Sequence, residues 1–197
     1  GMTEIEAANE IDFFMKRNGA SGNSFDTICA SGARGALPHG TPTSKKLEYG
    51  DLVVLDYGCV YNGYCSDITR TFAVGEISDE AKKVYDTVLT AQKTAEEMLK
   101  SGEMCCNAHF TAENIINKDY EGTFGHALGH GVGLDIHEQP TLSPKNKTIL
   151  KPGNIVTVEP GIYIPGFCGV RIEDMVCIKK DGIEILTKAE KDLKHIG

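Results

Sequence analysis

The chain has no excess of positive charge and no long apolar run. Its 20 Lys and Arg residues are outnumbered by 28 Asp and Glu residues, giving a net charge of −8 at pH 7. This balance offers no basic surface and argues against nucleic acid as a partner. No apolar stretch approaches the length of a membrane span, and the N-terminus has no signal-peptide pattern. We therefore expect no membrane partner and a cytoplasmic location.

A CxxC motif and an interdomain linker are also missing. The 7 cysteines are scattered and odd in number, which favours reduced structural thiols over a disulfide framework or a zinc knuckle. The hydrophobic fraction of 41% and the charged fraction of 24% are ordinary for a globular protein. We expect residues 1–197 to form a single domain with a substantial core.

Two segments of the chain repeat one phrase. Residues 50–58 read GDLVVLDYG and residues 153–161 read GNIVTVEPG, each a mostly β-branched apolar run that meets an acid and then a glycine. This pattern is typical of a buried strand that turns into a hairpin. A second acid follows each phrase, so that Asp67 follows Asp56 and Glu173 follows Glu159. Because an unpaired acid at the end of a buried strand is costly, we expect the four acids to share a cation site.

The remaining patterns place helices around these hairpins. A capping box at residues 3–6 starts a helix that stops at Gly19, and Ser78 caps a long amphipathic helix that ends at Gly102. A shorter helix is predicted over about 107–118, and further strands over 25–30 and 183–186. The order predicts an α+β fold of two pseudo-symmetric halves around a curved, mostly antiparallel sheet. The matched hairpins would then meet at the axis between the halves.

Four converging carboxylates raise one another's pKa and cannot all stay ionised without cations. A pair of divalent metals resolves this conflict and supplies a bridging hydroxide as a nucleophile. Oxygen-rich ligation with one or two imidazoles suits Mn(II), Fe(II) or Co(II), with Zn(II) as a further candidate. His130 lies in a glycine-rich segment and is predicted to be a ligand on a strand. His126 and His137 would lie nearby as hydrogen-bonding or proton-handling groups.

These motifs resemble the pita-bread metallopeptidase family, M24, which includes methionine aminopeptidase, aminopeptidase P and prolidase. The resemblance runs from Thr3 to about Leu186. It implies the pita-bread fold and two divalent metal ions per chain, with Mn(II) as the preferred metal. It also implies five metal ligands, of which Asp67 and Glu173 would bridge the ions: Asp56, Asp67, His130, Glu159 and Glu173.

Within the family, residues 30–40 and 170–174 are similar to the proline-specific branch. This similarity implies cleavage of the Xaa-Pro bond at the free N-terminus of a peptide, by attack of metal-bound hydroxide. It places His39 on the substrate side, and it places His126 and His137 in the pocket around the scissile carbonyl. Glu159 would also shuttle a proton. Arg171 would pair with a ligand carboxylate such as Asp56.

The chain departs from that branch in two ways. Proline-specific members usually carry an N-terminal domain that contributes to oligomerisation, and residues 1–197 do not include such a domain. We therefore expect residues 1–197 to be the catalytic domain of a longer, homodimeric protein. Dipeptide-cleaving relatives often carry an arginine shortly after the pocket histidine, where this chain has Thr141. This difference favours aminopeptidase P over prolidase, and methionine aminopeptidase is the next alternative. A creatinase-like or non-catalytic member of the fold is disfavoured, because those branches lose several ligand positions.

Overall fold

A computed structural model describes residues 1–197. Three α-helices are present: α1 (Glu4–Arg17), α2 (Asp79–Met98) and α3 (Cys105–Ile116). The predicted capping box at the start of α1 is confirmed, since the Thr3 side chain accepts from the Glu6 backbone and Glu6 accepts from that of Thr3. Ser78 caps α2 as predicted, but α2 ends at Met98 rather than at Gly102 because Leu99 adopts an extended conformation. None of the helices is long and apolar enough to cross a membrane.

Fourteen β-strands are also present. Those of the first half are β1 (Gly22–Asn23), β2 (Ile28–Ser31), β3 (Leu52–Tyr57), β4 (Cys59–Tyr61), β5 (Tyr64–Cys65) and β6 (Ile68–Val74). Those of the second half and the C-terminal segment are β7 (Gly129–Gly131), β8 (Glu138–Leu142), β9 (Ile155–Val158), β10 (Gly161–Ile164), β11 (Cys168–Arg171), β12 (Asp174–Ile178), β13 (Ile183–Ile185) and β14 (His195–Ile196). A short 3-10 helix, Gly32–Ala36, follows β2.

The two repeated phrases form inner strands of the two larger sheets. One sheet has the order β14-β6-β3-β2 and the other the order β13-β12-β9-β7-β8. Every pairing is antiparallel except that of β14 with β6, which agrees with the predicted α+β class. Hydrogen bonding divides the strands into four sheets instead of one, because the chain turns at the acids: β9 ends before Glu159 and β12 begins after Glu173.

The halves join where β6 meets the second hairpin. The Thr71 hydroxyl donates to the Arg171 carbonyl over 2.9 Å, and the Arg171 backbone N–H donates to the Thr71 Oγ1 over 3.1 Å. The Glu173 backbone N–H donates to the Thr69 carbonyl over 3.1 Å. Helices α2 and α3 and the second-half strands share one buried apolar core. This junction brings the acid-bearing ends of the two hairpins together.

Candidate metal centre

All nine site residues predicted from the sequence line a single cavity of about 420 Å³. The cavity lies at the junction between the halves and is open to solvent. Its wall contains the four carboxylates, four of the six histidines and one arginine: Asp56, Asp67, Glu159, Glu173, His39, His126, His130, His137 and Arg171. The pairing of the hairpins therefore produces the convergence that the repeat predicts.

His130 reaches the cavity because β7 lies unusually close to β9. A Cβ atom at Gly129 would stand 2.0 Å from the Thr157 carbonyl oxygen, so only glycine fits at this position. The Thr157 hydroxyl accepts from the His130 backbone N–H over 3.0 Å and donates to Glu159 Oε1 over 3.0 Å. One threonine thus fixes the spacing between the imidazole and the carboxylate.

The His130 ring presents an acceptor nitrogen to the acids. Its Nδ1 lies 3.0 Å from the Gly131 carbonyl oxygen, which requires the proton on Nδ1 and leaves a lone pair on Nε2. Nε2 lies 3.6 Å from Asp67 Oδ2 and 3.4 Å from Glu159 Oε1, distances too long for good hydrogen bonds. Candidate ligand atoms of Asp67, His130 and Glu173 all lie within 4.8 Å of one another. The Nε2 lone pair and the carboxylate oxygens repel one another, and a cation between them would be coordinated by all of these atoms.

Three carboxylate oxygens in this cluster are buried without a hydrogen-bond partner: Asp56 Oδ1, Asp67 Oδ1 and Glu173 Oε1. The second oxygen of Asp56 accepts from Arg171 Nη2 over 2.6 Å, and that of Glu173 accepts from the Thr69 hydroxyl over 2.7 Å. Each of these two side chains is therefore held by one oxygen while the other is free to bind. Because buried polar atoms rarely remain unpaired, the donor set fits divalent cations.

The electrostatics lead to the same conclusion. Burial, with the nearby charges of Asp56 and Glu159, raises the pKa of Asp67 to about 9. Burial, with the charge of Asp56, raises the pKa of Glu159 to about 8. Burial and the Asp67 charge raise the pKa of Glu173 well above its usual value. The cluster therefore retains protons at neutral pH unless metal ions replace them.

Arg171 and Tyr163 form the back wall of the cavity. The Arg171 guanidinium donates to Asp56, to the Thr69 hydroxyl, to the Pro38 carbonyl and to the Tyr163 hydroxyl. Burial opposes its charge, but Tyr163 and Asp56 hold the pKa of Arg171 well above its usual value. The ion pair with Asp56 is the one predicted from the resemblance. Tyr163 was not predicted from the sequence, because its contacts with Arg171 and His126 depend on the tertiary structure.

His126 is neutral and has both ring nitrogens engaged. Burial lowers its pKa to about 4. Nδ1 lies 2.8 Å from the Ala127 carbonyl oxygen, and Nε2 lies 2.9 Å from the Tyr163 hydroxyl. The consistent proton arrangement has Nδ1–H donating to Ala127 and the Tyr163 O–H donating to Nε2. His126 thus acts on the cavity wall as a hydrogen-bonding group rather than as a carrier of a proton.

The remaining two histidines lie at the mouth. His39 and His137 are exposed, and the His137 ring packs edge-on against His130 with centroids 4.4 Å apart. Asp26 and Thr141 line the same cavity. A substrate entering the cavity would therefore meet two free imidazoles and an acid before it reached the carboxylate cluster.

Comparison with known proteins agrees with this geometry. A family model described as "Metallopeptidase family M24" matches residues 1–180. The chain is 50% identical over 194 residues to the Xaa-Pro dipeptidase of Pyrococcus furiosus, covering 98% of this chain and 56% of the relative.

Solved structures superpose closely. The Xaa-Pro dipeptidase from Bacillus anthracis has a TM-score of 0.98 and 51% identity, covering 100% of this chain and 56% of that one. The X-Pro aminopeptidase from Thermotoga maritima has a TM-score of 0.97 and 45% identity, with coverage of 100% and 56%. These similarities confirm the predicted pita-bread fold. The chain spans about half the length of these relatives.

Proposed function

The chain belongs to metallopeptidase family M24, and we propose that it carries the catalytic unit of a metal-dependent peptidase that cleaves Xaa-Pro bonds at the N-terminus of peptides. The observation that carries this proposal is the set of three unpaired, buried carboxylate oxygens, on Asp56, Asp67 and Glu173, in the wall of an open cavity that also contains His130. The Xaa-Pro specificity in the names of the similar proteins supports the choice of substrate.

The proposed metal site has five ligands: Asp56, Asp67, His130, Glu159 and Glu173. We propose two divalent ions, with Mn(II) preferred because four carboxylates and one imidazole form an oxygen-rich donor set. When bound, such ions supply Lewis acidity and an activated water near neutral pH. The protein positions the ligand atoms and leaves one oxygen each of Asp56, Asp67 and Glu173 without a hydrogen-bond partner.

The chain's own residues divide the remaining tasks. Glu159 lines the cavity, and as a carboxylate it would accept a proton from the attacking water and return it to the departing nitrogen. His137 at the mouth would donate a hydrogen bond to the carbonyl oxygen as negative charge develops there. His39 would position the peptide around its proline. Arg171 is a positioning residue, since its donors are already bound to protein groups.

The cavity favours peptides longer than two residues. Arg171 is the single Arg or Lys in its wall, and it is committed to Asp56, Tyr163 and other protein groups. The free carboxylate of an Xaa-Pro dipeptide would therefore find no free Arg or Lys side chain there, and Asp26 would repel it. Thr141 can hydrogen-bond an amide but cannot neutralise a carboxylate. We accordingly propose aminopeptidase activity on longer peptides as the main activity.

A comparison of three peptides with Mn(II) tests the proposal. We expect a higher kcat/KM for Ala-Pro-Ala than for Ala-Pro, and no cleavage of Met-Ala-Ser. Faster hydrolysis of Ala-Pro would identify a dipeptidase instead. Cleavage of Met-Ala-Ser would identify a methionine aminopeptidase. A protein that binds Mn(II) and hydrolyses none of the three peptides would contradict the proposed function.

A further inference from the structure

A buried carboxylate outside the metal centre binds both ends of the segment that carries His39. Glu4, in the first turn of α1, has a fully buried side chain. Its Oε1 accepts from the Ser31 backbone N–H over 2.8 Å and from the Ser31 hydroxyl over 2.9 Å. Its Oε2 accepts from the Thr43 backbone N–H over 3.0 Å and from the Thr43 hydroxyl over 2.7 Å. One side chain therefore closes residues 31–43 into a loop.

Arg34 adds a positive charge to these contacts around Glu4, which together are called the clamp below. Arg34 Nε donates to Glu4 Oε2 over 3.1 Å, while its Nη2 donates to the Thr41 carbonyl over 2.6 Å. Arg34 thus connects the Glu4 carboxylate to the middle of the loop. Burial opposes ionisation of Glu4, but the hydrogen bonds from Thr43 and Ser31 outweigh it and lower its pKa. The anion is the form that the surrounding donors require.

The loop between the two anchored ends forms one side of the cavity mouth. Pro38, His39 and Thr41 all line the cavity. On its inner side the loop has one polar contact to the metal centre, the 3.0 Å hydrogen bond from Arg171 Nη1 to the Pro38 carbonyl. His39 itself is exposed, so its position depends on the backbone that carries it.

We propose that Glu4 is a positioning residue for this peptidase, and that it acts by holding the 31–43 loop so that His39 faces the bound peptide. The inference rests on the proposed function for its kinetic consequence. The link between Glu4 and the two ends of the loop follows from its hydrogen bonds to Ser31 and Thr43 alone. Glutamine has the same shape as glutamate, but its NH₂ group is a donor. It would face the N–H and O–H donors of Thr43 or Ser31 and could not accept from them.

The test compares Glu4→Gln with Glu6→Gln. Glu6 is a matched control, since it lies in the same helical turn, is exposed and contacts Thr3 rather than the loop. We expect Glu4→Gln to lower kcat/KM for Ala-Pro-Ala by about 10- to 100-fold, the scale of a displaced positioning group, with Mn(II) affinity unchanged. In a His39→Ala background the same substitution should have little further effect. Glu6→Gln should leave the kinetics close to those of the parent.

Amide hydrogen exchange provides an independent readout. Glu4→Gln should accelerate exchange within residues 31–43 and leave β3 and β9 protected. An equal loss of kcat/KM with and without His39, or unchanged exchange in the loop, would overturn the proposal. If the parent chain hydrolyses no Xaa-Pro peptide, the proposed function fails while the exchange data still decide the role of Glu4. Should Glu4→Gln not fold, Thr43→Val removes one clamp contact and should show the same changes at smaller size.

Discussion

At the scale of single residues, Arg171 connects two members of the carboxylate cluster, Asp56 directly and Glu173 through Thr69. It fixes one oxygen of Asp56 and thereby turns the other toward the cavity. It also reaches Glu173 indirectly, through the Thr69 hydroxyl that donates to Glu173 Oε2. A planar guanidinium can make these contacts together, whereas an ammonium group cannot.

Arg171→Lys is therefore expected to weaken metal binding while preserving the charge. The expected loss of Mn(II) affinity is about 10- to 100-fold, which is typical for residues that hold metal ligands in place. Calorimetric titration of the metal-free protein measures it. The same exchange at Arg17, which is exposed on α1, is the control and should have no effect. Equal affinities for the parent and Arg171→Lys would contradict the positioning role.

Thr141 offers a test of substrate length at the same scale. An arginine in its place would add a free cation to the cavity wall and could pair with the carboxylate of a dipeptide. Thr141→Arg should therefore increase the ratio of kcat/KM for Ala-Pro to that for Ala-Pro-Ala, whereas Thr141→Val should not. If the ratio is the same in all three proteins, a missing cation does not explain the preference.

The four acids could be predicted from the sequence because they end or follow two matched phrases, and the four histidines and Arg171 because the motifs around them resemble those of the family. Glu4 and Tyr163 could not be found in the same way. The partners of Glu4 lie 27 and 39 positions away, and the pattern of its helix gives it no special place. Tyr163 is recognisable only once Arg171 and His126 are seen on either side of its hydroxyl. Long-range partners of this kind depend on the tertiary packing.

At the scale of elements, the close contact between β7 and β9 sets the position of His130. It depends on Gly129, where any side chain would collide with the backbone of β9. The sequence indicated His130 as a strand residue near the acids, but the distance between the two strands was not predictable from it.

Gly129→Ala should push β7 away from β9 and move the His130 imidazole away from the acids. We expect a decrease in the free energy of unfolding of about 1–3 kcal/mol, as for other overpacked sites, and a lower Mn(II) affinity. Gly125→Ala is the matched control, because a Cβ atom there meets nothing within 4 Å. Chemical denaturation and metal titration measure both effects. A Gly129→Ala protein with the stability and affinity of the control would refute this account of β7.

At the scale of the whole molecule, the carboxylate cluster links stability to pH. Asp67 and Glu159, with pKa values raised to about 9 and about 8, hold protons in the folded chain that they release in the unfolded chain. The stabilising contribution of these protons is complete below the ordinary carboxyl pKa and is lost as pH rises through the raised values. Without metal, the folded state should therefore become less stable from about pH 5 to about pH 9.

Thermal unfolding with a chelator tests this dependence. The Tm of the metal-free protein should decrease as pH rises across that range, and Mn(II) should reverse much of the decrease because cations replace the protons. Asp67→Asn removes one of the titrating groups, so its metal-free Tm should depend less steeply on pH. A metal-free Tm that is constant or increases with pH would show that the cluster does not hold these protons.

We propose that the two matched hairpins join the halves of the molecule around a pair of metal ions. The most direct measurement is calorimetric titration of the metal-free chain with Mn(II), for the parent protein and for Glu173→Ala. The parent should bind two ions per chain, and Glu173→Ala should lose this stoichiometry. Binding of fewer than one ion per chain by the parent, or identical titrations for both proteins, would contradict it.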